Sequence, residues 1–240
     1  MTLFDYVIVG AGPAGCVLAN RLSADPGISV LLIEAGGPDT NPLIAIPRGF
    51  GQLFGDPATV WHYSVRPFGP AQQVETWIRG KTLGGSSAVN GMVYNRGNRA
   101  DYDALEALGN PGWGWDDMLP AFKAIEDNEL GASDVRGAGG PLHVSTVDGS
   151  DPLLEDVLTA GVKLGWRRMR NLNETHEERI GYTMATIRDG RRVSALGSAA
   201  RAGEGTAGRA GAGHDCGRIP AASGQRWQRP RHLARSGRTA

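Results

Sequence analysis

Phe4-Asp5-Tyr6-Val7-Ile8-Val9-Gly10-Ala11-Gly12-Pro13-Ala14-Gly15 decides how this 240-residue chain is read. The first six residues are a short, β-branched apolar run, the composition of a strand buried on both faces of a parallel sheet. Glycine ends the run and a helix follows. Pro13 suits its first turn, Val17, Leu18 and Leu22 supply its apolar stripe, and Asp25-Pro26-Gly27 stops it. Ser29 to Ile33 is a second buried strand, closed by Glu34. The three elements make one βαβ unit. Gly10 permits the tight turn, Gly12 lets the backbone approach a pyrophosphate, and Gly15 lets helix and strand pack closely. Pro13 and Ala14 complete the loop at the helix start, where free N–H groups and the positive end of the helix dipole favour an anion. Glu34 lies 19 residues beyond Gly15. There its carboxylate can accept from both ribose hydroxyls of an adenosine, and Ala35 is counted with it among the nucleotide contacts. The unit by itself leaves FAD and NAD open.

A second glycine segment is more specific. Gly80-Lys81-Thr82-Leu83-Gly84-Gly85-Ser86-Ser87-Ala88-Val89-Asn90-Gly91-Met92-Val93-Tyr94 pairs glycines with serines. Such a run exposes backbone N–H groups as a possible anion nest, and Asn90 can fix the loop through its amide. With Tyr94, Gly97 and Asp103 continuing the pattern, this segment resembles the first signature of the glucose–methanol–choline (GMC) oxidoreductases, the family of choline dehydrogenase and glucose oxidase. The resemblance covers roughly residues 3–196. It takes in Asn41-Pro42 through Trp61-His62-Tyr63, Gly112 to Lys123, Gly139 to Val144, and Gly181 to Ala195.

The resemblance implies an α/β fold: a doubly wound, Rossmann-like FAD-binding domain with part of an antiparallel-sheet substrate domain. The expected divisions are 1–140 for the FAD-binding domain, with a lid at 36–78, then 141–196 for the partial substrate domain. It implies FAD as cofactor, with Gly80, Lys81, Leu83, Gly84, Gly85, Ser86 and Ser87 beneath the diphosphate. Asn90, Gly91, Met92 and Val93 would reach the isoalloxazine, and Trp61 is the tryptophan placed nearest FAD. Some members attach flavin through a histidine just before the signature asparagine. That place is Val89 here, so the flavin is expected to be noncovalent. The implied reaction is oxidation of an alcohol to an aldehyde, with hydride going to flavin N5. The alcohol and the electron acceptor stay open.

Other segments carry local patterns only. Residues 36–78 look irregular, with six prolines spread through them. Helices are expected over 101–108, over 116–126 and after the N-cap Asp151, with Leu154, Val157, Leu158 and Val162 as the apolar face of the last. Tyr182 to Arg188 alternates like a strand and Asp189-Gly190 signals a turn. Cys16 and Cys216 cannot form a disulfide framework, which favours a reducing compartment and a cytoplasmic location. Zero formal net charge argues for neither nucleic acid nor membrane partners. No run reaches the ~20 apolar residues of a membrane span, and the run from Phe4 to Val9, which contains Asp5, reads as a poor signal peptide.

After Leu196 the text changes. Residues 197–240 hold eight arginines and no lysine against Glu204 and Asp215, with Ile219, Trp227 and Leu233 the only large apolar side chains. Such a stretch cannot offset ordering costs of ~1–2 kcal/mol per residue and is expected to be disordered. A change of reading frame in a GC-rich gene explains it better than a basic nucleic-acid arm. The family's second signature and its late histidine are absent from these residues, so an incomplete, inactive copy is expected and no catalytic residue is assigned. His62, His143, His176, His214 and His232 all lie outside the family's catalytic context. The alternatives are a non-redox lyase of the same fold and a nucleotide binder with a nucleic-acid-binding tail.

Overall fold

The computed structural model describes residues 3–199 apart from 148 and 150. The Arg-rich stretch from residue 200 onward, with Cys216, His214 and His232, lies outside the described residues.

The N-terminal βαβ unit forms, but without the expected burial: Tyr6 on the first strand and Val17 and Leu18 of the expected helical stripe are exposed, because helix and strand are covered on one side only. β1 (Tyr6–Val9) and β2 (Val30–Ile33) pair in parallel, Tyr6 opposite Val30 and Val9 opposite Ile33, and α1 (Pro13–Leu22) crosses between them. Ile8, Ala11, Ala19, Val30 and Leu32 make one small core with Leu83 from the second glycine segment. Among the described residues β2 is the only neighbour of β1. The alternate residues Val7 and Val9 are exposed, Val9 by 82%.

The stretch that looks irregular is ordered. Asn41 caps α2 (Pro42–Ala45) through its side chain, which accepts from Leu43 N at 3.0 Å. Proline at the first helical position needs no N–H partner. α3 (Phe50–Leu53) follows, and then a long antiparallel hairpin, β3 (Val60–Ser64) with β4 (Thr76–Gly80). Ile44, Leu53 and Val60 close a second core around Ala88 and Val89. The second glycine segment therefore runs between two cores, anchored at Leu83 in one and at Ala88 and Val89 in the other.

β5 (Val93–Tyr94) leads to α4 (Arg99–Ala107), which starts on an Asn98/Asp101 capping box, and to α5 (Trp115–Ile125). β6 (Glu126–Asn128) and β7 (Leu142–Val144) pair in parallel. Asp151 caps α6 (Pro152–Lys163) by accepting from Leu153 N at 2.9 Å. Of its expected apolar face only Leu158 is buried; Leu154, Val157 and Val162 are exposed. β8 (Arg167–Arg168) and β9 (Arg179–Ile180) are parallel, and β10 (Met184–Ala185) is antiparallel to β5. β11 (Ile187–Arg188) and β12 (Arg191–Arg192) form a tight hairpin. Its turn residues Asp189 and Gly190 both have positive φ, 49° and 70°, the primed geometry that matches strand twist. Packing continues to the last described residue: Ser198 is buried and Asn20 donates to Ala199 O at 2.9 Å.

Of the described tryptophans only Trp115 is buried. It sits among Tyr102, Phe122 and His176. Arg96 and Glu126 form a buried ion pair at 2.6 Å, with both side chains almost fully enclosed. Gly137 N and Asn128 Nδ2 complete the carboxylate's partners.

Candidate dinucleotide site

The first loop is shaped by its glycines. Gly10 has φ +98°, a conformation L side chains rarely adopt. Gly12 is the N-cap of α1 at φ −72°, and a Cβ built on it would stand in open space. A Cβ on Gly15 would overlap the carbonyl oxygen of Gly10, so helix and loop can approach this closely only at glycine. Pro13 and Ala14 are exposed at the helix start, where the first-turn N–H groups have no intrahelical acceptor.

Glu34 has a role that motif reading missed. Its Oε2 accepts from Ala11 N at 2.7 Å and its Oε1 from Gly36 N at 2.9 Å. The carboxylate at the end of β2 thus ties the glycine loop to the chain leaving the strand. A carboxylate has about four lone-pair sites, so capacity for two further donors is left. Ala35 beside it is exposed.

The second loop docks on the first. Gly84 N donates to Ala11 O at 2.8 Å. Gly85 has φ +54°, and a Cβ on it would come within 2.7 Å of Gly12 Cα. Gly80 N donates to Ser86 Oγ at 3.0 Å, Ser87 Oγ donates to Gly84 O at 2.6 Å, and Leu83 N donates to Gly37 O at 3.1 Å. Cys16 is buried just behind, donating to Ala11 O at 3.3 Å, and burial pushes its thiol pKa up.

The segment then turns outward. Asn90, Gly91 and Val93 are exposed, whereas Met92 is buried with φ +61°. Asn90 Oδ1 accepts from Met92 N at 3.1 Å. Val89 is buried between Ile44 and Leu53. Lys81 lies with its Nζ 4.3 Å from the centroid of the Trp61 ring, and Trp61 itself is partly exposed on β3.

The structure therefore brings Gly10, Gly12, Gly15, Glu34, Gly80, Leu83, Gly84, Gly85, Ser86 and Ser87 into one continuous patch. Trp61 with Lys81, and Asn90 to Val93, lie on adjoining elements. The glycine cradle, the helix start and a carboxylate with spare acceptor sites fit a dinucleotide diphosphate and ribose. Arg192 carries no motif signal of its own in the sequence. It is buried and donates to Ser87 O, Asn90 O and Asn90 Oδ1. Each described histidine has a polar partner. His62 Nε2 is 2.7 Å from Phe54 O, His143 Nδ1 is 2.9 Å from Asp127 Oδ2, and His176 Nδ1 accepts from Arg99 N at 3.2 Å. Among the described residues no cluster of His, Cys, Asp or Glu could hold a metal ion, and no helix is long and apolar enough to cross a membrane.

Two docked glycine loops on one βαβ unit, with an acid closing the second strand, define a dinucleotide-binding α/β protein. The chain belongs to the GMC oxidoreductase family, whose model matches residues 4–202. It is 42% identical over 194 residues to the alcohol dehydrogenase [acceptor] of Pseudomonas putida, covering 80% of this chain and 35% of that protein. It is 41% identical over 192 residues to the oxygen-dependent choline dehydrogenase of Rhizobium etli, with the same coverage. Pyridoxine 4-oxidase from Mesorbium loti superposes with a TM-score of 0.75 at 42% identity, over 82% of this chain and 39% of that one. The chain spans about a third of the length of the curated relatives it matches. These relatives are dehydrogenases and an oxidase.

Proposed function

We propose that this chain is the FAD-binding portion of an enzyme that oxidises an alcohol to an aldehyde. The observation that carries the reading is the docking of the two glycine loops, Gly84 N on Ala11 O and Gly85 against Gly12 Cα. It brings both phosphate-type loops to one helix N-terminus. Gly10, Gly12, Pro13, Ala14 and Gly15 would hold the diphosphate from one side and Gly80 to Ser87 from the other. Glu34 and Ala35 would take the adenosine ribose, and Asn90, Gly91, Met92 and Val93 the flavin ring, with Trp61 nearby. When bound, the flavin supplies the hydride acceptor; these residues orient it and shape its surroundings. The proposed divisions are 1–140, with the lid at 36–78, then 141–196 toward the substrate; the family match runs on to residue 202, so the non-family tail expected from 197 starts a few residues later. No described residue is assigned as the base, and the electron acceptor is left unassigned. The few cysteines, with Cys16 a free buried thiol, support a reducing, cytoplasmic setting.

Val89 at the attachment position supports noncovalent flavin. The test is to load the 240-residue chain with FAD and precipitate it with acid. All the yellow colour should pass into the supernatant. Colour retained on the pellet overturns the noncovalent assignment, and failure to take up FAD overturns the flavin reading.

A further inference from the structure

Arg192 ends the tight hairpin formed by β11 and β12, and its side chain runs inward rather than to solvent. The residue is 9% exposed. Its Nε donates to Ile44 O at 2.8 Å. Its Nη1 lies 2.7 Å from Asn90 O, 2.8 Å from Asn90 Oδ1 and 3.2 Å from Ser87 O. Nη2 is buried and has no partner among the described residues. No carboxylate pairs with this guanidinium among the described residues, and burial pushes its pKa down to about 10. A buried cation compensated only by carbonyl dipoles is costly. Here it bridges Ile44 on α2 to the segment from Ser87 to Asn90.

That turn carries strain of its own. Met92 is a non-glycine residue at φ +61°, a conformation that persists only when its surroundings over-determine it. Asn90 Oδ1 accepts from Met92 N, and Thr186 N donates to Met92 O at 2.9 Å. Arg192 supplies the remaining clamp. Its planar fork reaches α2 with one nitrogen and both oxygens of Asn90 with another, which a lysine ammonium cannot do from one position.

We propose that Arg192 is a positioning residue for the flavin contact: it locks Asn90-Gly91-Met92 against α2 in the shape that meets the ring. The proposal rests on the reading of this segment as a flavin contact. It acts through Asn90 and assigns Arg192 no contact with flavin.

The test uses the full 240-residue chain in four forms: unaltered, R192M, R192K and R192M combined with M92G. Amide hydrogen exchange is followed by mass spectrometry without cofactor, and FAD affinity by fluorescence titration. R192M and R192K should each raise exchange at residues 90–93 selectively and weaken FAD binding at least tenfold, with the cooperative melt retained. M92G in the R192M background should recover at least threefold in affinity, because glycine adopts positive φ without the clamp. Unchanged exchange at 90–93 in R192M overturns the proposal. So does R192K binding FAD as the unaltered chain does, or loss of the cooperative melt in both single variants, which makes Arg192 a support of the whole fold. An unaltered chain that binds no FAD sinks the flavin reading instead, and the exchange arm still reports whether Arg192 holds the turn.

Discussion

Alanine at Gly12 and at Gly85 should separate folding from ligand binding. Gly85 has φ +54°, and its added Cβ would lie 2.7 Å from Gly12 Cα. The left-handed conformation costs a non-glycine residue roughly 1–2 kcal/mol. The obstacle is backbone, which cannot rotate away, so overpacking adds about 1–3 kcal/mol. Gly85→Ala should therefore cost about 2–5 kcal/mol. For a domain of this size, at ~2–4 °C per kcal/mol, the melting temperature falls by about 4–20 °C. Gly12 has φ −72° and nothing within 4 Å of its added Cβ. The weaker N-cap and the stiffer unfolded chain offset each other, so Gly12→Ala should stay within about 1 kcal/mol of the unaltered protein. Its methyl would occupy the space left for a diphosphate. Losing one charge-assisted hydrogen bond, ~1.5–3 kcal/mol, weakens FAD about tenfold to a hundredfold. Calorimetry without cofactor and fluorescence titration with it give the two readings. A Gly12→Ala protein that binds FAD within twofold, or a Gly85→Ala protein that melts with the unaltered one, refutes the docked-loop argument.

Glu34→Ala should weaken FAD binding at least tenfold and also lower the melting temperature, because the carboxylate holds Ala11 N and Gly36 N. Glu34→Gln keeps one acceptor oxygen and should lose less of both; equal affinity across all three proteins would sink the assignment. Asp127 is held below its usual pKa of 3.8, first by the hydrogen bond from His143, and also by Gly139 N and the charges of His143 and Arg188. A carboxyl depressed in the folded state adds stability that is full above its unfolded pKa and lost as pH falls through the folded one. Asp127→Asn should therefore destabilise in urea unfolding at pH 7, with a penalty that shrinks below about pH 4; a penalty independent of pH contradicts the linkage.

The parts legible from sequence are those fixed by neighbouring residues. The βαβ unit from Tyr6 to Ile33, the Asp151 cap and the Asp189-Gly190 turn each depend on local backbone chemistry. All three are found where their residues place them. The hairpin of β3 and β4 escaped notice because six prolines hid it, although each lies outside the paired strands. Arg192 escaped because its partners lie 102 and 148 residues away, and no local pattern announces them. The buried Arg96–Glu126 pair spans 30 residues for the same reason. Three of the four residues on the expected face of α6 are exposed, because helical periodicity reports which side chains share a side, not whether anything covers them. The two exposed valines of β1 follow similarly: their apolar character was readable, and their exposure depends on what packs against the strand.

Glu34 has a kinetic consequence. Its two oxygens are already bonded to Ala11 N and Gly36 N, so the loop has its shape before a dinucleotide arrives. The entropy of ordering it is spent during folding and not at encounter. Association should then follow a single exponential whose rate rises linearly with FAD concentration, with no slow rearrangement afterwards. Differences in affinity among variants that keep Glu34 would lie in how quickly the ligand leaves.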